Sequence, residues 1–403
     1  MIEQFADLSE AEIIERGKNV IMNTYGRLPM SLVKGAGPWV WDAKGKLYLD
    51  FVTGLAVNSL GHNHPAVTQA LVEQSEKILH TSNLYWIPNQ IALAERLVKH
   101  SFAGKVFFCN SGAEANEGAV KLARKYAKQN YGAHKYEIIS FNNSFHGRTL
   151  AALTLTGQTK YQEGFAPLPA GFSYGVLNDV ESLKAKINEN TAAVFIEPIQ
   201  GEGGVIPAED AFLKEARALC DQYGALLVFD EIQCGLGRTG KLFAYEWSGV
   251  RPDVMTLAKA LGAGVPIGAL LATDKAAEAF QPGDHASTFG GNPLATAVGC
   301  AVLDVMLAPG FMEDVQERAA YLSKGLAGLA VKYGTPKSVR GKGFMLGWPV
   351  AESGPEIVEA CRDKGLLLNC VGGKVLRFLP PLIVKKTELD TGLEILDSVL
   401  ADL

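Results

Sequence analysis

Apolar residues fall along this chain in short runs separated by glycine-rich connections, and the spacing within the runs changes from place to place. Residues 9–21 carry them at helical spacing and predict an opening amphipathic helix. Residues 39–42 and 46–51 flank Ala43-Lys44-Gly45 and predict a β-hairpin. From Pro65 onward, strand-like and helical segments alternate. Strand-like runs lie at 106–109, 137–141, 193–197, 226–230, 254–257 and 267–272, and helical stretches such as 114–129 and 210–223 lie between most of them. This alternation predicts an α/β fold with a mainly parallel central sheet covered by helices on both faces. After Asn292 the pattern changes to long helices and a few strands, ending in a helix from 386 to about 402. A large domain over 55–295 is therefore expected. A smaller α+β domain is expected over 296–403, joined by residues 1–54 and so discontinuous.

Length and composition agree with a large core: 403 residues, 48% of them apolar. Charge narrows the partners. With 38 basic and 43 acidic residues the net charge is −5, which leaves no footprint for nucleic acid or an anionic membrane surface. The longest apolar runs, such as 225–229, are far short of a membrane span, and residues 1–10 hold acids but no signal-like apolar stretch. A cytoplasmic protein is expected. The six cysteines (Cys109, Cys220, Cys234, Cys300, Cys361 and Cys370) are scattered without a C-x-x-C pair, so reduced thiols are expected in place of a disulfide framework. His62 and His64 form the one close histidine pair, but Gly61 and Pro65 beside them read as a turn, and no metal site is expected.

Three places carry chemistry. The run 226–230 is apolar until it ends in Asp230-Glu231, and in a parallel sheet ligands bind at the carboxyl ends of strands. An isolated Asp there is more often a cap or a surface acid. The next strand-like run ends before Ala258-Lys259-Ala260, where small and apolar neighbours would dehydrate the lysine and lower its pKa. That is the condition for a Schiff-base amine. An Asp and a Lys at neighbouring strand ends suit pyridoxal phosphate: the carboxylate keeps the pyridine nitrogen protonated and the lysine holds the aldehyde. Third, Ser111-Gly112-Ala113 precede a long helix, where free amides can receive a phosphate, although taken alone simple capping by Ser111 is the better account of them. The run Gly235-Leu-Gly237-Arg-Thr-Gly240 imitates a dinucleotide fingerprint but lacks its context. Asp230 to Cys234 separate it from the strand, residues 241–249 do not read as a binding helix, and no acid occurs between 254 and 272.

Together these residues resemble the class III (ω-amino acid) aminotransferases, pyridoxal-phosphate enzymes of fold type I. The densest match is Leu227-Val-Phe-Asp-Glu-Ile-Gln-Cys-Gly-Leu-Gly-Arg-Thr-Gly240 followed by Lys259. Further segments are Ser82-Asn-Leu-Tyr85, Asn110-Ser-Gly-Ala-Glu-Ala-Asn116, Ser144-Phe-His-Gly-Arg148, Glu197-Pro-Ile-Gln-Gly-Glu-Gly-Gly204, Ser287-Thr-Phe-Gly-Gly-Asn-Pro293 and Arg377-Phe-Leu-Pro-Pro381. Within the class the nearest likeness is to the enzymes acting on acetylornithine.

The resemblance implies a set of roles. Lys259 is the Schiff-base lysine and Asp230 the partner of the pyridine nitrogen. Gln233 stands near the ring hydroxyl, Ser111, Gly112 and Ala113 at the phosphate, and Phe145 against the ring. Thr288 is a phosphate ligand given by a second subunit, which implies a homodimer with shared sites. Arg148 and Ser287 touch the amino donor, and Tyr25 stands near the entrance. Arg377 binds the α-carboxylate of glutamate or 2-oxoglutarate, and Glu202 is a switching carboxylate opposite it. Ala113 departs from the threonine frequent in relatives and would give the phosphate an amide without a hydroxyl. The implied reaction moves the δ-amino group of N-acetylornithine to 2-oxoglutarate, a step of arginine biosynthesis. Succinylornithine, ornithine, 4-aminobutyrate and succinyl-diaminopimelate chemistry remain open as alternatives. A non-catalytic relative of the fold is disfavoured by the joint presence of Lys259, Asp230 and Gln233.

Overall fold

The computed structural model describes residues 8–335, 338–350 and 353–403. Residues 1–7, part of the acidic N-terminal stretch, lie outside them. The opening helix spans Glu10–Val20. Ser9 caps it by accepting from the Glu12 amide, while the Glu12 side chain reaches back to the Ser9 amide, so two donors without helical partners are satisfied at once.

Three strands follow: β1 (Leu32–Ala36), β2 (Trp39–Asp42) and β3 (Leu47–Asp50). β2 and β3 form the expected hairpin, with Val40 opposite Tyr48. Asp42 holds its turn, because Oδ1 accepts from the amides of Lys44 at 2.9 Å and Lys46 at 2.8 Å. The histidine pair serves structure. His62 Nε2 lies 2.8 Å from Asp50 Oδ2, and His64 caps the helix Pro65–Ser75 by accepting from the Ala66 amide.

The central sheet is built from β4 (Lys105–Cys109), β5 (Glu137–Phe141), β6 (Phe172–Gly175), β7 (Thr191–Ile196), β10 (Leu226–Asp230), β11 (Val254–Leu257) and β12 (Gly268–Ala272); a small hairpin, β8 (Ile199–Gln200) with β9 (Ile206–Pro207), stands outside it. The order across the sheet is β4-β12-β11-β10-β7-β5-β6. β12 runs antiparallel to both neighbours, a departure from an all-parallel sheet. The cause is the connection: residues 258–267 join β11 to β12 without the crossover helix that a parallel return requires. Burial alternates along β10. Leu227 and Phe229 pack with Phe212 and Ala216 of the helix Asp210–Tyr223, whereas Leu226 and Val228 pack with Ala119 and Ala123 of the helix Gly112–Tyr131. Both faces are thus covered, which is why the strand reads as a continuous apolar run. Each such side chain contributes about 1.5–3 kcal/mol of burial.

Beyond the helix Pro293–Met306 come the long helix Phe311–Lys332, then β13 (Arg340–Lys342), β14 (Met345–Pro349), β15 (Leu366–Leu367), β16 (Asn369–Val371), β17 (Val375–Phe378) and the closing helix Lys386–Asp402. β13-β14-β17-β16 form one sheet, while β15 pairs with β3 in parallel, Leu366 opposite Leu49. Among the described residues no single helix is long and apolar enough to cross a membrane. All six cysteines are free.

Candidate active site

The site forms where β4, β10 and β11 end on the same edge of the sheet, the place that a parallel sheet offers to ligands. A cavity of about 440 Å³ opens there, and Ser111, Phe145, Asp230, Gln233 and Lys259 line it.

Asp230 closes β10 and is buried. Its Oδ1 accepts from the Ile232 amide at 3.0 Å. Its Oδ2 accepts from Asn116 Nδ2 at 2.8 Å and lies 2.7 Å from His146 Nδ1. Asn116 is itself fixed, accepting from the Thr256 hydroxyl at 2.9 Å and donating to the His146 carbonyl at 2.7 Å. A carboxylate tied this way has one orientation.

Lys259 follows β11 directly, in a left-handed backbone conformation with φ of 40°. Among the described residues no hydrogen bond or ion pair engages its amine. Dehydration, aided by the positive charge of Arg377, lowers its pKa to about 8 against the opposing pull of Glu202, Asp230 and Glu197. In the cofactor-free protein, attack of Lys259 on a small amine-directed reagent should therefore climb with pH and level off above about 8. The neutral amine is the nucleophile, so a lysine in water would keep climbing to about 10.4. A rate followed by peptide mapping that still rises at pH 10 would contradict the dehydrated setting.

A second cluster sits beside the first. Arg377, in β17, is wholly buried. Its Nη1 donates to Glu202 Oε1 at 2.6 Å and to Gln233 Oε1 at 3.1 Å, and its Nε donates to Asn369 Oδ1 at 3.1 Å. Nη2 is buried without a partner among the described residues. Burial pushes the Glu202 carboxyl up, but the charge and hydrogen bond of Arg377 outweigh this and hold it below the usual glutamate value. The Glu202 side chain keeps 26% of its surface exposed, whereas that of Arg377 is wholly buried. Its loop comes close because position 201 is glycine: a Cβ there would lie 2.1 Å from Gln233 Oε1.

The helix Gly112–Tyr131 begins at the cavity, capped by Ser111, whose hydroxyl accepts from the Glu114 amide at 3.2 Å. Capping and an anion cradle coexist here, since the amides of Gly112 and Ala113 have no helical acceptor. A Cβ at Gly112 would meet Ile232 Cδ1 at 2.7 Å, so the Ile232 side chain would have to shift to admit one. Arg148 is exposed at the rim, its guanidinium 3.9 Å from the centre of the Tyr161 ring and 5.5 Å from that of Phe145.

Not every expected residue meets the others within one chain. Tyr25 is 70% exposed and does not line the cavity. Thr288 is exposed and also stands outside it, while the adjacent Ser287 hydroxyl accepts from Asn110 at 3.1 Å and from the Gly290 amide. Around this loop lies an apolar surface that includes Leu84, Tyr85, Trp86 and Phe289. Asn83 ties its two segments together by donating to the carbonyls of Ser287 and Gly290.

Asn116, His146 and Glu197 lie in segments that carry the resemblance but were expected to have no role of their own. Glu197 follows β7 as Asp230 ends β10, so the strand-end signal was present. Its Oε2 accepts from the Phe145 amide at 3.0 Å, and burial with the neighbouring Asp230 charge pushes its carboxyl well above the usual range. Asn116 falls on the buried face of its helix, where a polar side chain needs a partner. Among the described residues no cluster of His, Cys, Asp and Glu could hold a metal ion.

Comparison with known proteins gives one family. The family model described as aminotransferase class-III matches residues 20–400. The acetylornithine aminotransferase of Caldanaerobacter subterraneus subsp. tengcongensis is 54% identical over 96% of this chain and 98% of its own length. That of Methanocaldococcus jannaschii is 49% identical over 98% of this chain and 100% of its own. Among solved structures, the N-acetylornithine aminotransferase of Stenotrophomonas maltophilia is 42% identical with a TM-score of 0.83, covering 96% of this chain and 98% of that one. The ornithine aminotransferase of Toxoplasma gondii is 32% identical with a TM-score of 0.95, covering 100% and 97%.

Proposed function

The chain belongs to the class-III aminotransferases, and from that premise we propose that it transfers the δ-amino group of N-acetylornithine to 2-oxoglutarate, giving N-acetylglutamate semialdehyde and glutamate. The observation that carries this reading is an unengaged, dehydrated lysine and a fixed aspartate lining one cavity, beside a buried arginine neutralised by a partly exposed glutamate. The donor assignment rests on the acetylornithine aminotransferases among the relatives near 50% identity.

The residues fit pyridoxal phosphate. The amides of Gly112 and Ala113 at a helix N-terminus suit its phosphate, Phe145 offers an aromatic face, and Asp230 suits a ring N–H. Gln233, which lines the cavity and accepts from Arg377, would serve the ring hydroxyl. When bound, the cofactor supplies an aldehyde that condenses with amines and a ring that takes up the electrons of a broken C–H bond. Lys259 would hold that aldehyde, and its amine, once free, would be the base for the proton on the carbon that bears the substrate nitrogen. Arg377 grips the α-carboxylate of glutamate or 2-oxoglutarate by its planar fork, and its unpartnered Nη2 is available for the second oxygen. With the ω-amine donor, Glu202 stays on Arg377. Arg148 and Ser287 meet the remote end of the donor, and Tyr25 guards the entrance.

The active unit is a homodimer. Support comes from the exposed apolar side chains around Trp86 and Phe289, of a kind that marks interaction surfaces, and from Thr288, which stands beside them outside its own cavity, as a phosphate ligand for the second subunit would.

Asp230→Asn should retain the cofactor and lose about 10²-fold or more in turnover, since the electrostatic partner of the ring nitrogen is gone. Steady-state rates at saturating substrates check this, and near-normal turnover would make Asp230 structural only. For the donor, kcat/KM is to be compared across N-acetylornithine, N-succinylornithine, ornithine and 4-aminobutyrate with 2-oxoglutarate as acceptor. N-acetylornithine should lead. A lead for free ornithine would overturn the donor assignment while leaving the class of reaction intact.

A further inference from the structure

The G-x-G-x-x-G run, which lacks the setting of a nucleotide site, has other work in this fold. Arg238 at its centre is wholly buried and has no carboxylate partner among the described residues. Its acceptors come from three distant segments. Nη1 donates to the carbonyls of Pro380 and Phe344, and Nη2 donates to the Ser59 hydroxyl at 3.2 Å. The Phe344 amide returns a bond of 2.9 Å to the Arg238 carbonyl. At the end of the run, Gln316 donates to the Gly240 carbonyl at 2.6 Å. A buried cation whose only acceptors are main-chain carbonyls and one hydroxyl, with its Nε left without a partner among the described residues, is costly unless it fixes something.

What it fixes is the segment that leaves β17. Pro380 lies three residues beyond Arg377, and each residue around it is tied down. The Leu379 amide donates to the Phe51 carbonyl at 2.8 Å, the Thr53 hydroxyl donates to the Leu379 carbonyl at 2.9 Å, and the Leu382 amide donates to the Ser59 carbonyl at 2.7 Å. Phe344 precedes β14, whose Gly347 is paired with Arg377 itself. The loop after β10 therefore reaches the Arg377 strand twice: directly through Gln233, and five residues later through Arg238.

We infer that Arg238 is a positioning residue for Arg377, setting the distance between the dicarboxylate-binding arginine and the cofactor edge of the central sheet. This inference rests on the carboxylate-binding role proposed for Arg377. Lysine keeps the charge at 238 but offers no planar fork for acceptors on two separate nitrogens. Displacement of Arg377 by a fraction of an ångström would weaken bidentate capture and leave donor chemistry at Lys259 almost untouched.

The test measures binding of glutarate, an unreactive dicarboxylate, to the holoenzyme by calorimetry, together with cofactor absorbance, thermal stability and the single-turnover rate with N-acetylornithine. Arg238→Lys should raise the glutarate Kd about tenfold while the N-acetylornithine rate changes by less than about twofold. Placed on Arg377→Ala, it should add no further loss of glutarate binding, because coupled residues are not additive. If Arg377→Ala itself binds glutarate like the parent, the carboxylate role fails and this inference falls with it. If Arg377→Ala loses binding but Arg238→Lys does not, the inference alone is overturned. Parallel losses in glutarate binding, cofactor content and both half-reactions would make Arg238 a merely structural staple. Should Arg238→Lys fail to fold, Ser59→Ala, which removes the Nη2 acceptor, decides the matter by the same readouts, with a selective rise in glutarate Kd expected and an unchanged Kd contradicting the inference.

Discussion

Lys259→Ala is expected to lower turnover by about 10⁴-fold, the upper range for loss of a positioned acid–base group. Two functions vanish together: the amine that anchors the cofactor and the base that moves the proton. No neighbour can replace it. Asp230 is engaged by Asn116 and His146, Glu202 by Arg377, and Glu197 by the Phe145 amide. The cofactor should still bind through the helix N-terminus and Asp230, and the emptied volume beside a cavity of about 440 Å³ should admit a small amine. Added methylamine is therefore expected to restore part of the activity of Lys259→Ala. Stopped-flow absorbance with N-acetylornithine, with and without methylamine, measures both effects. A variant retaining a tenth of the parent rate would remove Lys259 from the chemistry.

Glu202→Ala and Arg377→Ala should damage opposite halves of the reaction. With N-acetylornithine bound, a methylene group stands where glutamate brings its α-carboxylate, so Arg377 needs Glu202 to balance its charge. Removing Glu202 leaves a guanidinium that is wholly buried and uncompensated, with Gln233 and Asn369 as neutral acceptors only. The cost is about 3–5 kcal/mol, which corresponds to about 10²- to 5 × 10³-fold in the rate of the ω-amine half. Glutamate supplies its own carboxylate, so its half-reaction should change little. Arg377→Ala should reverse the pattern, with the glutamate half losing at least about 10²-fold. Single-turnover spectra of each half-reaction separate the two. Equal losses in both halves for Glu202→Ala would reduce Glu202 to a scaffold residue.

The strands of the central sheet were legible because both of its faces are covered, so β10 and β11 appear as unbroken apolar runs that end in an acid and before a lysine. β6 was missed: Phe172-Ser-Tyr-Gly175 is an edge strand, half-buried, with no apolar run to mark it. The reversal of β12 could be read only from the short connection 258–267, since a strand's pattern of burial does not record its direction. At the site, the placement of Lys259 and Asp230 at neighbouring strand ends was legible in the sequence. Asn116 and His146 could not, because their value lies in a pairing across 114 and 84 residues that only the folded sheet creates. Arg238 was read as part of a false nucleotide motif for the same reason: its acceptors, Ser59, Phe344 and Pro380, are remote in sequence.

The central claim is that Lys259 carries pyridoxal phosphate at the end of β11. Borohydride reduction of the holoenzyme, followed by proteolysis and mass mapping, tests it most directly. The account predicts a single pyridoxyl group, on the peptide containing Lys259. A pyridoxyl group on any other lysine, with Lys259 unlabelled in fully active enzyme, would contradict it.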